Sequence, residues 1–383
     1  MARIAFLLMA HKAPLSVAAQ VRMLVAQGDS VAVHFDANAA WADWLALVEA
    51  LAGLPRVRLL SNRVHGGWGT WSLVDASLRL MRAAVEAFPE ATHFYLMSGD
   101  CMPIRPRRAL AAHLDGGDRD YIEHHDFLRS DWIKTGLKDE RLIYRHPFNE
   151  RQQRGLFYAG LWLQQSLGLR RKTPKGMTIR IGSQWWCLRR RTVETVLGFC
   201  DRHPKVVGFF RTVWIPDEVF FQTLVPHLVP NAELDGQILT RLMFSDYGMP
   251  VTFHADQADL LMRQHGFFVR KLADGAAALR ARLVAQYGAA EDPAVAGPDL
   301  VQRYRWLAGR GREGRATPPP PWTRVAPQVT VVVCKKWHVA HRVVRRAAAE
   351  TGRLALASVF DELSGQDPDL GGYGRTLAAR RTD

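Results

Sequence analysis

The sequence predicts an α/β protein whose mainly parallel sheet is flanked by helices. Apolar runs of strand length alternate with segments of helical apolar spacing through the first hundred residues. That alternation indicates successive strand–helix–strand units, and hence parallel strands. Polar residues follow three of the apolar runs, at 11–12, at 34–36 and at 98–100. Because ligands bind beyond the carboxyl ends of parallel strands, these positions are the first candidates for a binding site.

The N-terminal elements follow one another at short intervals. Residues 3–10 form a continuous apolar run, which is typical of a strand buried on both faces. Helical spacing then covers 15–27, and a second strand covers 30–36. The same patterns continue with a strand at 57–60, a long helix at 72–87 and a strand at 93–98.

The segment 129–180 is less regular and carries most of the positive charge. Between Arg129 and Arg191 there are fifteen basic residues and four acidic ones. We interpret this segment as a substrate-facing insertion that favours an anionic partner: nucleotide phosphates, an acidic glycan, lipid headgroups or nucleic acid. No known nucleic-acid-binding motif accompanies the charge, so nucleic acid is not expected.

Regular structure is predicted again after this insertion. Strands are expected at 183–188, 239–243 and 267–271, and helices at 191–200 and 255–264. The composition changes beyond Ala276. We therefore predict a main domain at 1–275, a helical and Pro-rich linker at 276–328, and a small α/β appendage at 329–383 whose role the sequence does not indicate.

Composition limits the class of protein. Hydrophobic residues make up 48% and charged residues 23%, as in ordinary globular proteins. The apolar run 4–10 is too short to span a bilayer and is followed by no cleavage pattern. The four cysteines have neither metal nor disulfide spacing, so free thiols in a reducing compartment are expected. A cytoplasmic protein is predicted, with peripheral membrane contact left open.

The most informative segment is 214–222, in which two carboxylates follow a proline and precede a buried apolar run. Proline and acidic residues are both favoured in the first turn of a helix, so Asp217 and Glu218 are predicted at a helix N-terminus on the edge of a cavity. A carboxylate held there can accept a proton from a substrate hydroxyl, and Glu218 is the candidate base. The alternative is an acidic cap that only stabilises the helix.

Seven segments in collinear order carry a resemblance to a known family. They are Leu8–Lys12, Val33–Asp36, Trp68–Val74, Leu96–Ile104, Gly182–Trp186, Pro216–Thr223 and Phe267–Lys271. Together the sequence resembles the family of core-2/I-branching β-1,6-N-acetylglucosaminyltransferases and peptide O-xylosyltransferases. Nothing after about Ala276 is covered by the resemblance.

The resemblance implies a GT-A glycosyltransferase fold, a Rossmann-like mixed sheet flanked by helices. It also implies inverting transfer of a sugar from a UDP donor to an acceptor hydroxyl. Glu218 matches the catalytic glutamate of the family, and Asp217 would hold acceptor hydroxyls or cap the helix.

The same resemblance predicts a reaction without a metal or other cofactor. Many GT-A enzymes hold a divalent cation with a DxD motif, whereas the segment at that place here has one carboxylate, Asp100. A single carboxylate holds a metal poorly. Lys271 matches the basic segment with which the family neutralises the diphosphate, and Arg241 occupies an upstream arginine position with a weaker match. Each could otherwise be an ordinary surface cation.

The remaining expectations concern residues around the two substrates. His11, His34, Asp36 and Asp100 are expected on the donor side, although His34 and Asp36 could equally form a strand-end turn. Aromatic and small residues are expected to bind sugars or line the acceptor pocket, although tryptophan is also a common core residue. They are Trp68, Trp71, Gly182, Ser183, Trp185 and Trp186.

N-acetylglucosamine is the leading donor sugar and xylose the alternative, with a glycan or glycolipid as acceptor, an acidic one included. A different class of function is a metal-dependent hydrolase that uses His11, His34, Asp36 and Asp100. A third is a glycan- or membrane-binding protein without turnover. The hydrolase leaves Glu218 and Lys271 without a role, which favours the transferase.

Overall fold

The computed structural model describes residues 1–133, 136–242, 250, 252–253, 257–273 and 276–295, together with 343, 346–347 and 349–350. The strands are β1 (Ile4–Ala10), β2 (Ser30–Phe35), β3 (Val57–Leu59), β4 (His93–Ser98), β5 (Met102–Pro103), β6 (Asp120–Ile122), β7 (His125–Asp126), β8 (Arg180–Ile181), β9 (Trp186–Arg189), β10 (Leu234–Asp235), β11 (Thr240–Leu242) and β12 (Phe268–Arg270).

The helices alternate with these strands. They are α1 (Pro14–Ala26), α2 (Trp41–Leu51), α3 (Ser72–Ala87), α4 (Arg107–Asp115), α5 (Glu140–Ile143), α6 (Arg154–Ser166), α7 (Arg190–Arg202), α8 (Pro204–Phe210), α9 (Phe220–Leu228), α10 (Ala258–Met262) and α11 (Ala277–Tyr287), with short 3-10 turns at Pro216–Glu218 and Asn231–Glu233.

Seven strands form a central mixed sheet in the order β10-β6-β9-β4-β1-β2-β3. The strands β4, β1, β2 and β3 are parallel, whereas β9 is antiparallel to both β4 and β6. Ala10 pairs with Phe35, and Met9 pairs with Ser98. The carboxyl ends of β1, β2 and β4 therefore meet at one edge, which brings the predicted polar residues together.

Both faces of the sheet are buried, as β1 illustrates. Ile4, Phe6 and Leu8 pack in one core with side chains of α1, α2, α4 and α11. Ala5 and Leu7 pack in the other core, with α3, α7, α8 and α9. Burial on both sides explains why β1 is continuously apolar instead of alternating. The predicted α/β class, a mixed sheet between two helical layers, is confirmed.

The predicted helix Ser72–Ala87 has the same bounds in the structure, and most other predicted elements differ by one to three residues at their ends. The insertion at 129–180 is more regular than expected, because it contains α5 and α6. In α6, Phe157 and Leu161 are buried while Leu156 and Trp162 are exposed. Apolar residues on both faces hide the one-sided periodicity by which a surface helix is recognised.

The predicted boundary at 276 requires a correction. Leu283 and Tyr287 of α11 belong to the same core as β1, and the Tyr287 hydroxyl donates a hydrogen bond to the Asp29 carboxylate at 2.7 Å. An ion pair joins Arg105 to Asp292. The first part of the predicted linker is thus integral to the main domain. The Pro-rich stretch and all of the predicted appendage at 329–383 except 343, 346–347 and 349–350 lie outside the described residues.

Two expectations from composition can be compared with the described residues. Cys101, Cys187 and Cys200 are buried free thiols. Within this part of the chain, no helix combines the length and the apolar character needed to cross a membrane.

Candidate active site

The two predicted acidic residues lie where the chain enters α9. Ile215 has a left-handed backbone with φ of 55°, and Pro216 begins a 3-10 turn that ends at Glu218. The buried side chains of Phe220 and Phe221 then fix the first turn of α9 in the core. The turn therefore presents its carboxylates from a rigidly packed element, as the segment predicts.

Glu218 forms an ion pair with Arg141. Nη1 of Arg141 donates to Oε2 of Glu218 at 3.1 Å, and the side chains are 6% and 27% exposed respectively. Burial raises the pKa of Glu218, the neighbouring Asp217 raises it further, and Arg141 opposes both effects. The carboxylate is thus partly accessible and binds a proton more strongly than an ordinary glutamate does, which suits a general base near neutral pH.

Asp217 is more deeply buried than Glu218. Among the described residues, no hydrogen-bond donor contacts its Oδ1. Burial raises the pKa of Asp217, and Arg141 lowers it. This oxygen is buried and has a hydrogen-bond acceptor position to spare, and a role for Asp217 toward acceptor hydroxyls stays a prediction.

Glu123 is a third carboxylate beside this turn, and sequence reasoning missed it. The backbone N–H of Ser183 donates to its Oε2 at 2.7 Å, and the Trp132 indole donates to the same oxygen at 3.2 Å. The Gly182 N–H donates to the Glu218 carbonyl at 3.0 Å. A Cβ at Gly182 would lie 2.2 Å from the Glu123 carbonyl oxygen, so only glycine allows this approach. Gly182 and Ser183 therefore connect Glu123 to the turn Pro216–Glu218.

An aromatic wall extends from the ion pair. The Arg141 guanidinium lies 5.0 Å from the Trp214 ring, and the Trp214 ring meets Trp68 edge to face at 6.0 Å. Arg151 lies 3.9 Å from the exposed Trp68 ring. Trp71 is half-buried and packs edge to face on Phe220 at 5.1 Å. Trp68 thus remains accessible to a sugar ring, while Trp71 mainly packs against α9.

The two tryptophans at 185–186 do not share the predicted role. Trp186 is 1% exposed and packs on Phe221, so its ring belongs to the core and lines no acceptor pocket. Trp185 is also buried, and the Arg270 guanidinium lies 4.8 Å from its ring. Trp185 therefore packs against Arg270, a residue that lines the cleft around Asp100. The sequence could not separate them, because adjacent tryptophans look alike without the packing.

Basic side chains surround Asp100 at the carboxyl ends of β1 and β4. Its two carboxylate oxygens lie 3.8 Å from Nζ of Lys12 and 3.6 Å from Nζ of Lys271. Nε of Arg270 donates to the Ser98 hydroxyl at 3.1 Å. Lys12, Asp100 and Arg270 line a cleft together with His11 and Arg280. Two ammonium groups beside the carboxylate and two guanidinium groups in the cleft wall favour an anionic ligand such as a diphosphate.

His11 lies within electrostatic range of the same cluster. Desolvation lowers its pKa, and the nearby Asp100 carboxylate offsets part of that effect. Asp36, from the end of β2, is a further carboxylate within range of His11. The structure thus brings together His11, Lys12, Asp100 and Lys271, which come from both ends of the main domain.

His34 and Asp36 hold a loop. Nε2 of His34 accepts a hydrogen bond from the Val64 N–H at 2.9 Å; the residue is 3% exposed, and burial lowers its pKa to about 4. His34 is thus a buried structural residue and is not open to a nucleotide. Oδ1 of Asp36 accepts from the N–H groups of Asn38 and Gly66 at 2.7 and 3.1 Å. Both residues therefore stabilise the turn after β2, which was the alternative to a place on the donor side.

Arg241 lies in β11, directly opposite Val269 of β12. That register puts it on the strand next to the one that leads to Lys271. A role for Arg241 at the donor phosphates stays a prediction.

The hydrolase alternative required His11, His34, Asp36 and Asp100 to share a metal. Over the ranges that the structure describes, no group of three or more His, Cys, Asp and Glu side chains is positioned to hold a metal ion. The hydrogen bond from Val64 already occupies Nε2 of His34. The four residues therefore do not form the proposed metal centre.

Several residues of the site were not identified as site residues from the sequence. Arg141 is one of fifteen basic residues in its segment, and nothing local distinguishes it. Lys12 and Arg270 stood in the resembling segments, so position alone could have selected them. Arg280 lies in the predicted linker and Glu123 outside every quoted segment, which left no local signal for either.

Comparisons with known proteins identify the family. The model of the core-2/I-branching enzyme family matches residues 4–253. The chain belongs to the core-2/I-branching enzyme family. The resemblance inferred from the sequence is confirmed. A second model, of a family of unknown function, matches residues 270–383, so Arg270 and Arg280 of the cleft, and Lys271 beside Asp100, fall within that second match.

The curated relatives are named xylosyltransferases. Xylosyltransferase 2 from Homo sapiens is 30% identical over 185 residues, which cover 47% of this chain and 19% of the relative. Xylosyltransferase 1 from Rattus norvegicus is 29% identical over 177 residues, covering 45% and 20%. The chain thus spans about a fifth of the length of the curated relatives it matches.

One solved structure is also similar, that of galactosyltransferase LgtC in complex with donor and acceptor sugar analogs. It covers 84% of this chain and 99% of its own, at 12% identity and a TM-score of 0.30. A likeness this weak adds nothing to the family assignment.

Proposed function

We propose that this enzyme transfers a sugar, N-acetylglucosamine first among the candidates, from a UDP-sugar to an acceptor hydroxyl with inversion at the anomeric carbon. The observation that carries the proposal is the partly exposed Glu218, held 3.1 Å from Arg141 at the start of α9. A base of this kind is what a single-displacement transfer requires from the protein.

In this mechanism Glu218 accepts the proton of the acceptor hydroxyl. The hydroxyl oxygen then forms a bond to the anomeric carbon while the bond to the diphosphate oxygen breaks. Arg141 keeps part of the Glu218 population ionised against the effect of burial. Glu123 lies beside the same turn and is proposed, with Asp217, to accept hydrogen bonds from sugar hydroxyls, and Trp68 provides an exposed ring on which a sugar face can stack.

The leaving diphosphate is proposed to bind in the cleft around Asp100. Lys12 and Lys271 flank that carboxylate, and Arg270 and Arg280 line the same cleft. Their charges can offset the charge that develops on the departing phosphate oxygens. A divalent cation at Asp100 would have to displace two ammonium groups from the carboxylate. That donor set supports a mechanism in which side chains take the place of a metal.

The donor sugar has two candidates. N-acetylglucosamine follows from the branching enzymes that the sequence resembles. Xylose is compatible with the names of the curated relatives, which are xylosyltransferases. A glycan or glycolipid is proposed as the acceptor in either case.

The test is turnover with a panel of UDP-sugars, each in the presence of EDTA or of Mn²⁺. We expect one UDP-sugar to be consumed equally fast under both conditions, with inverted anomeric configuration in the product by NMR. Loss of turnover in EDTA that Mn²⁺ restores would reject the metal-free mechanism, and retention of configuration would reject the single displacement. Absence of turnover with every UDP-sugar would reject the donor class.

A further inference from the structure

Helix α6 exposes an apolar face on the outside of the protein. Trp162 is 67% exposed, and Leu156, Leu163 and Leu167 are each more than half exposed. Leu156, Leu163 and Leu167 recur at intervals of seven and four, so they form one stripe along the helix and its C-terminal cap. Soluble proteins rarely leave such a contiguous stripe of large apolar side chains in water.

Positive charge predominates around this face, and the one acidic residue that contacts α6 in the described structure is Glu150, 4.0 Å from Arg154. Between Glu150 and Glu194 the sequence contains no Asp or Glu. Arg154 is exposed at the start of α6, and Arg170, Lys172 and Lys175 are exposed in the loop that follows the helix. An exposed apolar stripe with Trp and Leu, bordered mainly by Lys and Arg, is the pattern of helices that lie in the interface of an anionic membrane.

A second helix shows that apolar exposure alone is not the signal. In α2, Trp41 is 63% exposed and Leu45 is exposed as well. Acidic residues, Asp43 and Glu49, lie on that helix. The helix itself has no Lys or Arg, and Arg63, 5.6 Å from the Trp41 ring, offsets only one of the two acids, so α2 lacks the excess of positive charge found around α6.

Charge also decides among the occupants that could cover α6. A second copy would bring one basic face against another. Residues 296–383 carry more Lys and Arg than Asp and Glu, so that segment would meet like charge as well. A bilayer that contains anionic lipid is the occupant whose charge is complementary.

We propose that the outer face of α6 and the basic loop after it dock this enzyme on an anionic lipid bilayer. The inner face of the same helix reaches the site: Phe157 stacks on His146 at 5.0 Å and lies 5.6 Å from Trp214. A helix is about 10 Å thick, so the catalytic turn lies close to the docked surface. On the proposed function, this orientation fits an acceptor whose glycan is attached to a membrane lipid.

The experiment measures binding of the full chain to sedimenting vesicles of phosphatidylcholine alone or with phosphatidylglycerol, without any sugar donor. Its result is therefore independent of the transferase assignment. We expect binding only to the anionic vesicles. Because each cationic side chain near such a surface strengthens binding about fivefold, substitution of Arg170, Lys172 and Lys175 by Gln should weaken it roughly a hundredfold.

Two pairs of apolar variants test the face itself. Trp162→Ser with Leu163→Ser should weaken binding roughly tenfold or more, whereas the matched α2 variant, Trp41→Ser with Leu45→Ser, should leave it unchanged. Equal binding of both variants, or equal binding to neutral and anionic vesicles, would overturn the proposal.

Trp162→Phe provides a measurement that does not depend on a disruptive change. It should bind as the wild type does but lose most of the fluorescence quenching by brominated lipid. Undiminished quenching in this variant would show that another surface meets the bilayer. If the wild type is a dimer and Trp162→Ser with Leu163→Ser makes it a monomer, the outer face of α6 binds a second copy. If no vesicles are bound, the C-terminal segment is left as the partner of this face. Either outcome rejects membrane docking.

Discussion

Replacement of Glu218 by glutamine tests the catalytic assignment most directly. The amide keeps the size of the side chain but cannot accept a proton. A general base contributes about two to four orders of magnitude to a rate, so turnover should fall by that factor. This corresponds to an activation free energy that is higher by about 3–5 kcal/mol. Donor binding should remain nearly intact, because the proposed phosphate cluster is formed by other residues.

The same change also removes the charged partner of Arg141. The Arg141 side chain is 6% exposed, and the lost charge-assisted hydrogen bond costs about 1.5–3 kcal/mol of stability. Thermal unfolding must therefore be recorded beside the rate, and assays kept below the transition. Asp217→Asn is the matched control, because the Asp217 Oδ1 has no hydrogen-bond donor in the described protein.

The pH dependence gives a second readout of the assignment. Only the ionised carboxylate is a base, so the wild-type rate should rise with pH. Burial and Asp217 raise the pKa of Glu218, so the midpoint should lie above the usual glutamate value. In Glu218→Gln this rise should disappear, and in Asp217→Asn it should move to lower pH. Near-normal turnover of Glu218→Gln, with a larger loss in Asp217→Asn, would refute the choice of base.

Three further predictions follow from the contacts. Lys271→Ala should weaken UDP binding by about 1.5–3 kcal/mol and uridine binding hardly at all, since the ammonium is proposed to meet phosphate; equal losses in calorimetry would contradict this. In Arg141→Met the rise of the turnover rate with pH should occur at higher pH, because Arg141 lowers the pKa of Glu218. In Arg141→Lys the rise should stay near its wild-type pH. Leu283→Ala should cost about 2–5 kcal/mol in denaturant unfolding and the exposed neighbour Val284→Ala little, if α11 belongs to the main domain; equal effects would restore the predicted linker.

Local patterns sufficed for much of the fold. Burial on both faces makes β1 continuously apolar, and one-sided burial gives α3 its helical spacing, so each element is visible in its own residues. The turn at 216–218 was predictable in the same way, because proline and acidic residues favour a helix start. Helix α6 escaped detection because it has apolar residues on its exposed face as well as its buried face, which hides the one-sided spacing of a surface helix.

The sequence by itself determined the α/β class, the order of elements and the family, since these depend on residue types at short spacing along the chain. Only the tertiary structure decided which charges meet. Arg141 reaches Glu218 across 77 positions, and Lys271 reaches the carboxylate of Asp100 from the far end of the domain. It also decided that Trp186 belongs to the core and that α11 lies against the main domain. These outcomes depend on how the layers pack, which no local spacing encodes.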